Sequence, residues 1–197
     1  MSEQVLINNY APVPEIFFRE KTGEPFRHCT VCQRELIDHS ESYVIEKAFR
    51  QDIKDKRRDL IFEFVYCYSC MEQLNNELSK ESRLKIREYF EQHSGLEKRN
   101  QELVRHRLFD VDVWLNNCIV KNKPIDEAEE FQIYAQCDGS HMLFYQAPYM
   151  LCGEAMDEIM NLLSNKTLDV INDFWAEHVD LPPEVEDIFK TRKPVFL

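Results

Sequence analysis

The stretch "VYCYSCMEQLNNELSKES", Val65 to Ser82, returns 85 positions later as "MLCGEAMDEIMNLLSNKT", Met150 to Thr167. Without a gap, Cys67, Met71, Asn76, Leu78, Ser79, Ile86, His93 and Leu96 fall on Cys152, Met156, Asn161, Leu163, Ser164, Ile171, His178 and Leu181. Similar types also meet: Leu74 with Ile159, Ser82 with Thr167, Tyr89 with Phe174, Phe90 with Trp175. The shared positions describe one apolar helix face and a cap. Met71, Leu74 and Leu78 recur at helical spacing, and Ser79 precedes a second helical piece that carries Ile86, Tyr89 and Phe90. Self-similarity at a fixed offset points to an internal repeat. The first copy keeps a second cysteine, Cys70; the second has Ala155 there.

The same order of elements precedes both copies. "SYVIEKAF" and "LIFEFVYC", rich in β-formers, flank the charged "RQDIKDKRRD", which predicts a hairpin with a long charged tip. In the second half "EFQIYAQ" and "HMLFYQ" flank Asp138-Gly139, a tight-turn pair, and "APYMLC" leads into a helix starting near Gly153. Each half therefore reads as loop, hairpin, cysteine, helix. Deleting one residue in the hairpin also places Cys32 on Cys118, leaving Leu115 at the position of Cys29. The division expected is 1–107, with an N-terminal arm packed through Ile16, Phe17, Phe18 and Phe26 and ending in the polar connector "GLEKRNQELVRHR", and 108–197, a related α+β module.

Cys29, Cys32, Cys67 and Cys70 form two CxxC pairs. A zinc ion takes four soft ligands in a tetrahedron, and each CxxC turn presents two thiolates to one ion. The second pair stands at a helix start, where unpaired N–H groups favour thiolate. A redox CxxC would explain one pair and leave the other idle. A knuckle, a hairpin and a second pair on the first turn of a helix resemble the treble-clef class of zinc fingers, over about Arg27 to His93. The resemblance implies that Cys29, Cys32, Cys67 and Cys70 are structural zinc ligands, and that the second half is a degenerate treble-clef-like module. Gln33 and Met71 follow the pairs where that class commonly has glycine.

In the second half Cys118 and Cys152 remain near the place of a metal, while Cys137 and His141 flank a hairpin tip that points away from it. Small buried thiols are the expectation there. His93 and His178 fall near helix C-termini, where histidine caps and meets the dipole. His28 is expected beside the metal shell rather than in it.

Seven cysteines, no export signal in "MSEQVLINNY" and no apolar run near the ~20 residues of a membrane span predict a cytoplasmic protein. Net charge is -12, unevenly spread: residues 1–107 hold 18 Lys and Arg against 19 Asp and Glu, residues 108–197 hold 6 against 17. Such a surface repels a phosphate backbone, which argues against nonspecific nucleic-acid binding. The four glycines of the chain build no phosphate-cradling loop. The function expected is a zinc-stabilised, non-enzymatic module contacting a protein partner. The alternatives are a hydrolase or nuclease on a treble-clef scaffold, and a thiol or metal sensor using Cys118, Cys137 and Cys152.

Overall fold

In the computed structural model, residues 9–38 and 41–178 are described; Leu181 lies outside them. Among the described residues, strands Tyr10–Pro12 (β1), Tyr43–Gln51 (β2), Arg58–Cys67 (β3), Glu130–Asp138 (β4), His141–Leu143 (β5) and Tyr149–Cys152 (β6) join in one antiparallel sheet. The helices are Tyr68–Glu77 (α1), Lys80–His93 (α2), Leu96–Arg105 (α3), Val111–Leu115 (α4), Gly153–Met160 (α5) and Asn165–His178 (α6). No described helix is long and apolar enough to cross a membrane.

β-Branched and aromatic residues on both arms make β2 and β3 the expected hairpin, with Tyr43 opposite Cys67 and a bulge after Ala48. In the second half the returning arm is split. β5 pairs with the end of β4 at Cys137 and Asp138, the chain leaves the sheet over Phe144 to Pro148, and β6 rejoins β4 with Cys152 opposite Phe131. The excursion buries Phe144 against Trp114 and Phe109. β1, from the N-terminal arm, extends the sheet beside β5. Phe17 and Phe26 of that arm are buried and Ile16 and Phe18 pack on the core, as their apolar character predicts.

The two hairpins meet along β2 and β4, and this junction is symmetric. Tyr43 and Phe131 are counterparts, each opposite the cysteine that precedes a helix. Across the junction Tyr43 pairs with Cys137 and Phe49 with Phe131, while Glu46 pairs with its own counterpart, Tyr134. Exchanging the halves therefore maps this ladder onto itself, with its axis at Glu46 and Tyr134.

The second helices follow the same symmetry by crossing over. Trp175 of α6 packs edge-on against Phe62 and Phe64 of β3, at 4.7 and 5.4 Å between ring centroids. Tyr89 of α2 donates its hydroxyl to Glu158 of α5 at 2.6 Å. Each half thus lends its second helix to the other, whereas the repeat alone suggested that each would cover its own hairpin. At the crossing the caps interlock. Ser79 caps α2 by accepting from Ser82 N–H at 3.0 Å, and Ser164 accepts from Thr167 N–H at 3.3 Å. Reciprocally, Ser79 N–H donates to Thr167 Oγ1 at 3.0 Å and Ser164 N–H to Ser82 Oγ at 2.9 Å. The four hydroxyls also bond one another.

The polar connector is helical, as α3. Its anchor is an amide: Asn100, buried, donates to the carbonyls of Tyr145 and Gln146 at 2.9 and 3.1 Å. Arg99 stacks over Trp114 and donates to its carbonyl. Leu96, Leu103 and Val104 also pack on the core, but they are few among charged and amide neighbours, which is why the segment reads as a linker.

Candidate metal centre

The four paired cysteines converge. One atom from each of Cys29, Cys32, Cys67 and Cys70 lies within 4.8 Å of the others, and the Sγ atoms of Cys32 and Cys67 are 3.8 Å apart. A tetrahedron with Zn–S bonds of about 2.3 Å has edges of about 3.8 Å; the Cys32–Cys67 edge has that length and the other sulfurs lie within 4.8 Å of one another, close enough for one ion to gather.

Local structure sets each sulfur. Cys29 N–H donates to Arg34 C=O at 2.8 Å and Gln33 N–H to Cys29 C=O at 2.9 Å, a tight turn that needs Gln33 in the left-handed region at φ 59°. Thr30 N–H fixes this knuckle to β3 through Val65 C=O at 2.8 Å. Cys67 ends β3 and is the N-cap of α1, which puts Cys70 on the first turn. Cys67 N–H points at Cys29 Sγ, 3.4 Å away. Beside the cluster, Glu41 accepts from Ser69 N–H at the helix start and pairs with Arg34 of the knuckle.

Packing four thiols together in a part-buried cluster makes most of their protons costly to remove without a cation to take their place. Burial pushes the Cys67 thiol up to about 11, and burial and hydrogen bonds with Cys32 and Cys67 push Cys70 up as well. Cys32, the exposed member, goes the other way: burial opposes, but the Arg34 N–H and bonds from Cys70, Cys29 and Cys67 outweigh it. A cation that displaces these protons supplies the positive charge that buried, crowded thiolates need.

The second half repeats the knuckle with other residues. Cys118 N–H donates to Lys123 C=O at 2.8 Å, Asn122 N–H to Cys118 C=O at 2.8 Å, and Ile119 N–H to Met150 C=O at 3.0 Å; Asn122 has φ 52°. Cys152 N–H points at Cys118 Sγ, 3.3 Å away. Cys118 is therefore the counterpart of Cys29, and the position of Cys32 is held by Lys121. The sequence alignment placed Cys118 on Cys32 and Leu115 on Cys29; the hydrogen bonds correct it by one CxxC step. Leu115 is instead a buried residue of α4.

The other candidates are dispersed. Cys137 is buried opposite Tyr43 and Met142, its thiol pushed up by burial, at the far end of β4 from Cys152. His141 is exposed and meets the Tyr10 ring edge-on at 5.2 Å. His28 is exposed and bridges to Glu35 beside the knuckle. His93 and His178 sit on the last turns of α2 and α6, against the counterpart rings Tyr89 (tilted, 4.8 Å between centroids) and Phe174 (edge-on, 4.9 Å). Each lines a groove beside the other half's knuckle, His93 with Cys118 and Val120, His178 with Cys70 and Val31. The basic hairpin tip is bound to the chain itself: Lys56 and Arg58 pair with Asp126, and Arg50 pairs with Glu130.

Sequence patterning does not single out Glu46, which is fully buried at the axis of the sheet. Burial pushes its carboxyl well above the usual range, against the contrary pull of the Tyr134 and Tyr66 side chains, so the neutral acid is favoured. It reads in sequence as one polar residue in a half-exposed strand, a pattern indistinguishable from a solvent-facing position.

No family model, no curated protein and no solved structure matches this chain. Its class rests on geometry: a mixed α and β protein with an antiparallel sheet and a cluster of four cysteines able to hold a metal ion.

Proposed function

We propose that the chain is a zinc-stabilised protein-interaction module, made of two tandem treble-clef-like units, 1–107 and 108–197, of which only the first binds metal. The observation that carries this reading is the four-sulfur cluster, set by a knuckle and a helix start, its four ligand atoms within 4.8 Å of one another. The repeat of the knuckle hydrogen bonds around Cys118 supports the tandem arrangement. Zinc would be held by Cys29, Cys32, Cys67 and Cys70 and would fasten the knuckle to β3 and α1, a structural role.

The fastened helix presents a surface. Tyr68, half exposed, and Met71 of α1 line a groove of about 140 Å³ that Gln146, Ala147 and Tyr149 close from the second half. An exposed aromatic beside an apolar groove is the kind of anchor protein partners use. For the hydrolase or nuclease alternative no comparable observation exists: among the described residues, the four cysteines are the single group of three or more His, Cys, Asp or Glu side chains placed to hold an ion. Metal analysis and partner capture test the reading together. The purified chain is expected to carry one zinc, and Tyr68→Ala is expected to lose a protein partner that Tyr10→Ala retains. A metal-free wild type, or capture indifferent to Tyr68, refutes it.

A further inference from the structure

The second knuckle keeps the means of holding a thiolate and lacks two of the ligands that would hold an ion. Cys118 Sγ accepts from Cys152 N–H at 3.3 Å and from Lys121 N–H at 3.4 Å, with Val120 N–H also directed at it. Lys121 and Ala155 stand where the first half has Cys32 and Cys70, and the Lys121 ammonium is engaged by Glu158. The two cysteines retained are one from the knuckle and one from the strand end, and the backbone N–H of Cys152 points at the Cys118 sulfur. They join the same two segments that the four-cysteine cluster joins in the first half. Both are buried, but Cys118 lines an open groove of about 500 Å³ with His93, Arg99, Asn117 and Asn122, a route for a small oxidant.

We propose that Cys118 and Cys152 form a peroxide-reactive dithiol that closes to an intramolecular disulfide, the second half's covalent counterpart of the metal. Cys118 is the attacking sulfur. Its hydrogen bond with Cys152, helped by the backbone N–H groups and opposed by burial, lowers its thiol to about 6, while the same bond and burial push Cys152 up. The Cys118 thiolate attacks one peroxide oxygen; an S–O bond forms, the O–O bond breaks, and the departing hydroxide takes a proton to become water. Cys152 then gives up its proton and attacks the Cys118 sulfur. The S–S bond forms, the S–O bond breaks, and the hydroxyl leaves with that proton as a second water. Two thiols lose two electrons and the peroxide gains them. Cys137 takes no part, because it lies at the other end of β4.

The test is hydrogen peroxide titration of the zinc-loaded full chain, followed by intact mass, alkylation mapping and zinc release. The expected product is lighter by two hydrogens, links the peptides of Cys118 and Cys152, and retains its zinc. Cys118→Ser slows the reaction by about tenfold or more. Cys152→Ser instead leaves a sulfenic acid on Cys118 that dimedone traps, a gain of signal that misfolding would not produce, and Cys137→Ser changes nothing. The proposal is overturned if zinc leaves and Cys29, Cys32, Cys67 or Cys70 oxidises while Cys118 and Cys152 stay alkylatable. It is equally overturned if the protein carries a second zinc that Cys118→Ser removes.

Discussion

The knuckles at Cys29 and Cys118 make the same backbone hydrogen bonds and differ in what their side chains can hold. Gln33 and Asn122 both take the left-handed conformation that glycine would adopt at lower cost. Arg34 and Lys123 both tie the knuckle to the start of the following helix, Arg34 through Glu41 and Ser69, Lys123 directly to Glu154. The turn is thus built by its own peptide groups, and metal ligation is a property of four side chains laid over it. Where two of those are Lys121 and Ala155, ion pairs and the crossed-over α2, through Tyr89 and Glu158, cover the site instead. The comparison predicts that only the first knuckle depends on an ion.

The largest expected effect follows from taking that ion away. Structural zinc contributes an apparent binding free energy of about 10 kcal/mol or more, comparable to the whole stability of a domain. Cys67→Ser should lose the metal, and hydrogen exchange should then show lost protection from about the first knuckle through α1. Because Trp175 rests on Phe62 and Phe64, α6 should open with them although it belongs to the second half by sequence. β4, β6 and α5 should stay protected. Retained zinc at full occupancy, or first opening around Cys118, would break the comparison.

A smaller effect separates the crossed helices. Trp175 is 5% exposed, whereas its counterpart Phe90 is only partly buried. Trp175→Ala should cost about 3–5 kcal/mol in urea unfolding, in the range of large core truncations, and Phe90→Ala distinctly less. Equal costs would mean that the two crossings bear equal load. At the crossing itself, Ser79→Ala and Ser164→Ala should each cost about 1–2 kcal/mol, as lost caps do. The double variant should cost less than the sum by about 0.5 kcal/mol or more, since Ser164 Oγ donates to Ser79 Oγ. Strict additivity would show that the caps act separately.

Much of this was legible in the sequence, and the reasons it was or was not are local. CxxC spacing fixes a ligand pair within one turn, so Cys29, Cys32, Cys67 and Cys70 could be gathered without knowing the fold. The β2–β3 hairpin and the Ser79 cap follow from period and residue type. The register of the second knuckle did not, because Cys118 matches either cysteine of a CxxC pair and only the N–H contact from Cys152 decides between them. The match of Ser79 and Ser82 with Ser164 and Thr167 was visible as two caps. That they cap each other's neighbours depends on a helix crossing that no local pattern encodes. The split of β5 from β6 was hidden for a similar reason: the excursion through Phe144 is as apolar as the strands around it.

The smallest expected effect probes the ion pair that ties the second knuckle to its helix. Lys123, hydrogen-bonded to Glu154, holds that carboxyl at about 2, below an ordinary value of 4.5. A carboxyl lowered by folding contributes stability that is complete above its unfolded value and is lost as pH falls through the folded one, here between 4.5 and about 2. The Glu154 side chain is 57% exposed, so solvent screening reduces the contribution to about a few tenths of a kcal/mol rather than the full linkage value. Lys123→Met should return Glu154 toward its ordinary value, leaving the pull of its own N–H and of Cys152, and flatten the acid limb of the stability curve by up to that amount. Metal release at low pH is common to both proteins, so the quantity to compare is the difference between wild type and variant at about pH 6 and about pH 3. Glu154→Gln should cost less in the Lys123→Met background than in the wild type. A difference that is unchanged by pH would mean that Lys123 serves the knuckle through its backbone carbonyl, which Cys118 N–H uses, and that its charge is incidental.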